Sequence, residues 1–423
     1  MKHTIKKGGA IILLLLSSST MAQFSLNGEI TPRTELRNGF KKPLVKGQEP
    51  ALFTEQRTRL NIGYNTEKYE IKISVQDIRI WGATSQVYKN DPTMINLFEG
   101  WARYKFNTNT SIKAGRMALD YDNARFLGDL SWAMQARSHD GLLFETKSDS
   151  SGNTLHAGIY FNQDANTPEY AKLTGVYYNN FDTKGNPLNY KAMAFVWFNK
   201  KLSGKSSFSL LAHNNVTQSL TGVNLAMQTF GGTGKFGLTN QLSLETELYY
   251  QTGIGTDLKV AAFYGDLHIN TKIGKITLTP GLEYLSGDDS NDGKNQAFNP
   301  LYGTNHKFNG FMDYFYVGNA HGNVGLVNPY INTKTKLTDK SALIANVHVF
   351  MADKGINDKF LGTELDLVVV SKLADGVTLK VGQSVLNATD TMKAIKNNGV
   401  ANPGQKSLNT WSWAQIIFTP KFL

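Results

Sequence analysis

The chain has 423 residues, a formal net charge of +10 and no cysteine. Without cysteine it has no disulfide framework, no thiol nucleophile and no thiolate metal site. The basic excess favours anionic solutes, anionic polymers or anionic lipid as partners, and a basic protein without a specific partner is the alternative. All nine arginines lie at or before Arg137, whereas lysines continue to the end of the chain.

The first residues have the three parts of a secretory signal peptide. Three lysines precede a short apolar run, Ala10 to Leu16, and small residues follow up to Ala22. We predict a signal peptide over 1–22 and a mature chain over 23–423, and nucleic acid is a poor partner for such an exported chain. No apolar run reaches the roughly 20 residues that a membrane-spanning helix needs. The sequence therefore excludes a helical membrane protein.

From Phe24 onward, apolar and polar residues alternate with a period of two. This alternation covers residues 24–37, 54–64, 69–76 and 98–106 and is typical of strands with one apolar and one polar face. A soluble β-sandwich and an outer-membrane β-barrel would both produce it. Two features favour the barrel: the strands are about 10 to 14 residues long, and short connections alternate with long ones.

The alternation of connections also gives the number of strands. Lys172 to Phe181 has the pattern of a strand, which would raise the count to nineteen. Short and long connections alternate throughout only if Asp164 to Asn189 is one outer loop. We therefore predict an all-β fold, a closed antiparallel transmembrane barrel of about 18 strands, with short periplasmic turns and long extracellular loops. The first strand is expected near 24–37 and the last near 408–421, and sixteen strands is the alternative.

One charged stretch, from Gly115 to Gly141, interrupts the strand pattern and reads GRMALDYDNARFLGDLSWAMQARSHDG. We interpret it as a strand end, an ordered loop and the start of the next strand. Arginines in such a loop can grip carboxylate or phosphate through two parallel hydrogen bonds. We expect the loop to fold inward and narrow the pore, with Arg116 and Arg137 on the wall and Arg125 on the inserted loop. A salt-bridged surface loop is the alternative.

This stretch resembles a segment of the alginate-export family of outer-membrane porins. Two further segments are similar to the same family in the same order: YKAMAFVWFNKKL over 190–202 and FNPLYGTNHKFNGFMDYFY over 298–316. Met117 and His139 depart from the family pattern in the first segment. The resemblance covers nearly the whole mature chain.

The resemblance implies an eighteen-stranded barrel with an arginine-lined, electropositive constriction that passes an anionic polysaccharide such as alginate. The family motifs match Arg116, Arg125, Arg137 and Asp140 in the first segment, and Lys307 and Asp313 in the second. Strand alternation alone adds Arg33, Arg57, Arg59 and Arg103, which fall on the polar face. These ten residues are the predicted pore-lining set. The alternative for the arginines is bracing of the lumen through pairs with Glu29, Glu35, Glu55 and Glu99.

The expected function is an outer-membrane channel for an anionic solute. A general or differently selective porin, and a barrel that serves adhesion or assembly, are the alternatives. We expect no enzymatic activity, because no catalytic triad or metal-ligand spacing stands out. The segment Asp288 to Gly293 resembles a calcium loop but lacks its bidentate glutamate, so a polar outer loop is favoured.

The expected partners follow from this function and from a location in the bacterial outer membrane. They are an anionic small molecule or polysaccharide, outer-membrane lipid including lipopolysaccharide, and the barrel assembly machinery. A periplasmic export partner is left open. No cofactor and no metal are expected.

Overall fold

In a computed structural model, the chain forms one closed sheet of antiparallel strands. The structure describes residues 23–83, 95–162, 189–219, 221–255, 258–289, 292–317, 321–397, 399–400 and 402–423. The strands of the closed sheet are β1 Gln23–Asn38, β2 Ala51–Asn65, β3 Tyr69–Ile80, β4 Ile95–Lys105, β5 Thr110–Met117, β6 His139–Lys147, β7 Asn153–Phe161, β8 Ala192–Lys201, β9 Ser207–Gln218, β10 Asn224–Gly237, β11 Leu242–Gly255, β12 Leu258–Ile273, β13 Ile276–Leu285, β14 Leu326–Lys336, β15 Ser341–Met351, β16 Phe360–Ala374, β17 Val377–Ala388 and β18 Leu408–Phe418.

Each strand pairs with its neighbours in sequence, and β1 pairs with β18 to close the sheet. The prediction of a closed, eighteen-stranded antiparallel barrel is therefore confirmed, and the alternative of sixteen strands is wrong. The first and last strands begin within one residue of the predicted positions. The strand-like segment Lys172 to Phe181 and the predicted signal peptide lie outside the described residues.

The two faces of the barrel wall follow from the alternation in the sequence. Apolar side chains such as Leu142, Phe144 and Ile159 are exposed on the outer face. Polar side chains such as Thr31 and Glu283 are buried on the inner face. An apolar outer face around a polar interior is typical of a barrel that spans a membrane. Among the described residues, no helix has the length and apolarity to cross a bilayer.

The connections at the two ends of the barrel differ in length. At one end, which we call the short-turn end, the connections are tight, as between β12 and β13 or β16 and β17. At the opposite, long-loop end lie loop A, residues 118–138 between β5 and β6, and loop B, residues 286–325 between β13 and β14. Loop B contains a two-residue strand, Lys294–Asn295, and a short 3-10 helix, Asn305–Lys307. Helix α1, Asp390–Lys396, precedes β18.

Loops A and B fold into the barrel and contact each other there. Leu127 and Tyr302 form a parallel β-bridge between them, and the Gly128 amide donates to the Tyr302 carbonyl at 2.9 Å. The Thr304 amide donates to the Ala124 carbonyl, also at 2.9 Å. The largest cluster of buried apolar side chains includes residues of both loops and of the inward strand faces. The core of this protein thus lies inside the barrel, around the two loops.

Closure of the barrel can be tested with the pair Thr34→Cys and Ala414→Cys. These residues are direct partners on β1 and β18, at a separation that suits a disulfide. Since the chain has no cysteine of its own, oxidation should produce one cross-link, and the denatured chain should migrate faster without reductant than with it. The control pair, Thr34→Cys with Ala212→Cys, places the second thiol on β9 across the barrel and should form no internal cross-link. The reverse pattern would contradict the closure.

Candidate functional site

Arg125 is the anchor of loop A inside the barrel. Its side chain is 1% exposed, and its Nη2 lies 2.9 Å from Oε1 of Glu283 on β13. Its Nη1 donates to the side-chain oxygens of Asn305 at 3.1 Å and Asn309 at 3.2 Å in loop B. Burial alone would lower the pKa of Arg125, but the Glu283 carboxylate outweighs it, so the net shift is upward. Arg125 therefore fastens both loops to the wall and is not a free cation.

The wall that receives the loops is rich in carboxylates. Glu247, Asp266 and Glu283 are cross-strand neighbours on β11, β12 and β13. All three side chains are buried on the inner face. Tyr264 joins two of them, since its hydroxyl donates to Glu247 and Glu283 at 3.3 Å each. Of the three, Glu283 pairs with Arg125, and Asp266 pairs with Nδ1 of His268 at 2.6 Å.

A second carboxylate pair lies on β16 and holds the far side of loop B. Glu364 accepts a hydrogen bond from the Met312 amide at 2.7 Å, and Asp366 accepts one from the Phe311 amide at 3.3 Å. Asp313 follows Met312 in loop B, and its carboxylate pairs with Nδ1 of His306 at 2.6 Å. Asp313, a residue of the predicted pore-lining set, is buried and stabilises loop B internally.

Arg33 lies on the inner face of β1, where loop A covers it. It pairs with Glu35 at 2.8 Å and also with Glu55, and it donates to the Trp132 carbonyl at 2.9 Å. Its guanidinium carbon lies 3.9 Å above the Trp132 ring. Trp132 in turn stacks on His306 with 4.0 Å between ring centroids. Arg33 thus links the wall to loop A.

Arg57, on the inner face of β2, has the same role. Its Nη2 lies 2.6 Å from Glu29 Oε1. Its Nη1 donates to three carbonyl oxygens of loop A, those of Ser131, Ala133 and Met134, at 3.1 to 3.3 Å. The predicted pairing of arginines with Glu29, Glu35 and Glu55 is therefore present. Glu99 pairs with Lys72 and not with an arginine.

Two other inward arginines have partners on the wall itself. Arg59 donates to Gln76 Oε1 from Nε at 3.0 Å and from Nη2 at 2.6 Å, and it lies 3.8 Å above the Phe98 ring. Arg103 bridges Glu70 at 2.6 Å and Glu145 at 2.9 Å. Arg103 is therefore neutralised by two carboxylates, whereas Arg59 is held by an amide and an aromatic ring.

The prediction that Arg116 and Asp140 line the lumen is wrong. They pair with each other at 2.6 Å between Nη1 and Oδ2, and both side chains are exposed. Asp140 lies on the same face of β6 as Leu142 and Phe144, which point outward. Arg116 is its direct cross-strand partner on β5 and therefore points outward as well. Both residues lie at strand ends, as the pattern of the stretch predicts, but a one-residue difference in parity decides the face.

The prediction that Arg137 belongs to the wall is also wrong, because β6 begins two residues later at His139. Arg137 lies in loop A and donates to carbonyl oxygens of Gly128 and Gly303 at 3.3 Å and to that of Tyr302. Burial lowers the pKa of Arg137. It joins the two loops.

Lys307, in the second family motif, is exposed. Its Nζ donates to the Asn123 carbonyl of loop A at 2.8 Å and lies 5.3 Å from the Phe308 ring centroid. Of the predicted set, Lys307 thus keeps solvent contact inside the long-loop half of the barrel, while Arg33, Arg57 and Arg125 are buried.

Sequence reasoning missed a cluster of lysines at the short-turn end. A cavity of about 960 Å³ opens there between β12 and β17. Its lysines are Lys272, Lys275, Lys334, Lys336, Lys340 and Lys372. Two of them pair with aspartates in the turns: Lys336 with Asp339 and Lys372 with Asp375, each at 2.6 Å. The alternation that selected the arginines also places Lys272 and Lys334 on the inner face.

Few of these lysines are neutralised. Lys272 and Lys334 have no carboxylate within ion-pair distance among the residues that the structure describes. Lys380 on β17 faces inward beside this cavity, since it shares a strand face with the buried Ser384. Within the described ranges, no three His, Asp or Glu side chains are grouped to hold a metal ion. The Asp288 to Gly293 segment includes residues outside those ranges.

Comparison with known proteins places the chain in a family. The family model described as alginate export matches residues 47–402. The chain belongs to the alginate export family. No curated protein sequence matches it. Family membership fits the loop segments from which the resemblance was drawn.

Solved porin structures share the fold at low sequence identity. OccK2 (OpdF) of Pseudomonas aeruginosa aligns with a TM-score of 0.64 and 12% identity over 95% of this chain and 98% of its own. OccAB4 of Acinetobacter baumannii aligns with a TM-score of 0.62 and 10% sequence identity, over 95% of this chain and 98% of its own. A BenF-like porin of Pseudomonas fluorescens Pf-5 aligns with a TM-score of 0.62 and 12% sequence identity, over 96% of this chain and 100% of its own. The family and this fold indicate an outer-membrane, porin-like barrel and a channel, not an enzyme.

The anchoring role of Arg125 predicts a large loss of stability for Arg125→Met. Without the guanidinium, Glu283 stays buried and unpaired, which typically costs about 3–5 kcal/mol. The unfolding free energy in denaturant should fall by about that amount, and protease should cleave loop A faster. The matched control is Arg116→Met, because its exposed ion pair contributes about 0–1 kcal/mol. Equal losses for the two variants would contradict the anchoring role.

Proposed function

We propose that this protein is an outer-membrane channel for anionic solutes, and that lysines of the short-turn half supply the preference for anions. The observation that carries the proposal is the lysine-lined cavity, which contains six lysines and one aspartate, Asp339. The arginines contribute less to this preference than their number suggests, because Glu29, Glu35, Glu55 and Glu283 neutralise most of the inward ones.

The position of the lysines makes them effective. A water-filled lumen with low-dielectric walls focuses the field of its charges and concentrates counter-ions. Charged side chains that line a pore set its ion selectivity in this way. Lysine is a flexible point charge without the fork of arginine, so it attracts carboxylates without holding them in one geometry. Weak, repeated attraction of this kind suits passage better than a single tight site.

The two ends of the barrel also suit a channel with a filter. The short turns and both ends of the described chain lie at one end, which we assign to the periplasm, and the long loops to the cell exterior. Loops A and B then narrow the exterior half, and the lysines face the periplasmic half. A solute would pass the loops and the lysine cavity in sequence.

The solved relatives support carboxylates as the solute class. OccK2 of P. aeruginosa was crystallised with glucuronate, and OpdK of the same organism with vanillate. Both ligands are carboxylates. We propose an anionic small molecule or an anionic polysaccharide such as alginate as the substrate, because repeated carboxylates would meet the lysines one after another.

The double variant Lys272→Gln with Lys334→Gln tests this assignment. In planar bilayers under a KCl gradient, the reversal potential of the unaltered channel should show preference for chloride over potassium. The double variant should reduce that permeability ratio by about twofold or more, because two unpaired cations leave the lumen.

The matched control is Lys259→Gln with Lys359→Gln, which removes two exposed lysines at the long-loop end. This variant should keep the permeability ratio of the unaltered channel. Cation preference in the unaltered channel, or the same ratio in all three proteins, would overturn the proposed function.

A further inference from the structure

A second cavity, of about 360 Å³, lies inside the barrel at the long-loop end and contains no lysine or arginine. It is enclosed by the inner faces of β9, β10 and β12, by the end of β11 and by loop B. No charged side chain contributes to its lining among the described residues. Its polar lining is instead dominated by asparagines. This chemistry differs from that of the lysine cavity at the other end.

Three of these asparagines are oriented by the protein in the same way. Asn215 Oδ1 accepts a hydrogen bond from the Tyr302 hydroxyl. Asn295 Oδ1 accepts from the Ala297 amide, and Asn299 Oδ1 accepts from the Leu301 amide, each at 3.0 Å.

Because each oxygen is already engaged, the orientation of each side-chain amide is determined by its own partner. The three NH2 groups have no hydrogen-bond partner within the described part of the chain.

These NH2 groups determine which ligand the cavity fits. Asn215 is 4% exposed and lines the cavity, so its remaining donors are placed to meet a ligand there. Neutral donors without a nearby cation do not offset the desolvation of a charged group, but they suit hydroxyl, ether and carbonyl oxygens. The ligand is therefore rich in acceptor oxygens and uncharged where it contacts these residues.

The rest of the lining supplies apolar surface. Met227, Val260 and Leu301 contribute aliphatic side chains, and the rings of Tyr190 and Tyr302 meet edge to face with 5.5 Å between centroids. Aromatic and aliphatic walls with a few placed polar groups are typical of small-molecule sites, and the volume is within their usual range. A sugar ring has this combination, with C–H faces and oxygens around its edge.

We infer that this cavity is a binding site for a polyhydroxylated, uncharged unit such as a sugar ring. The inference rests on the proposed channel function, because the site lies in the same lumen as the lysine cavity. A hydroxylated carboxylate would use both sites in turn, with its hydroxyls on the asparagines and its carboxylate on the lysines.

Single-channel recording with maltose as the probe tests the site. Added maltose should reduce the current of the unaltered channel in a concentration-dependent manner. In Asn215→Ala with Asn299→Ala, the half-blocking concentration should rise at least about tenfold, since each lost hydrogen bond leaves maltose oxygens unpaired. The control is Asn199→Ala with Asn332→Ala, two inward positions on β8 and β14 outside this cavity, and it should keep the unaltered half-blocking concentration.

Calorimetric titration of the detergent-solubilised proteins with maltose gives a second readout that does not depend on conduction, and there too the affinity should be lost only in the first double variant. No maltose binding by either method, or equal effects of the two double variants, would overturn the inference. Anion preference, measured without sugar in the same channels, distinguishes a failure of the proposed channel function from a failure of the proposed sugar site. Anion preference without maltose binding overturns the sugar site alone, whereas maltose binding without anion preference overturns the proposed function alone.

Discussion

A buried ion pair between a loop and the barrel wall is the contact on which the interior of this protein depends. Arg125 and Glu283 have side-chain exposures of 1% and 2%, and their atoms approach to 2.9 Å. Charges removed from water in this way are stable only when paired and hydrogen-bonded. The wall therefore supplies carboxylates, and loop A supplies a guanidinium in return. The arginines that hold loop A against the wall are Arg33 on β1, Arg57 on β2 and Arg125 in the loop itself.

The same pairing determines where the free positive charge lies. Arg33, Arg57 and Arg103 face inward but are neutralised by glutamates, so the net field near them is small. Lysines of the second half of the chain face the short-turn end with fewer partners. Loops A and B thus lie in the long-loop half of the lumen, and the lysine cavity lies at the short-turn end.

Sequence patterns predicted the strands well because alternation is a local property. The positions of β1 and β18 and the closed count follow from period-two patterning and the parity of the connections. The partners of the arginines could not be predicted, because Arg125 and Glu283 meet only through the folding of loop A into the barrel. The prediction for Arg116 was wrong for a different reason. Near a strand end, a shift of one residue in the alternation moves a side chain from the inner to the outer face. The inward orientation of Lys272 and Lys334 could have been predicted, because the period-two alternation that places Arg57 on the polar face also places these lysines there.

The proposed function depends on a positive electrostatic potential at the short-turn end, and the reactivity of an introduced thiol measures that potential. The chain has no cysteine, so Thr277→Cys, in the lysine cavity, and Thr217→Cys, in the asparagine cavity, each introduce a single thiol. We expect an anionic thiosulfonate reagent to modify the thiol of Thr277→Cys several-fold faster than a cationic one, and the thiol of Thr217→Cys to show no such preference. Equal rates at position 277, or faster modification there by the cationic reagent, would contradict this expectation.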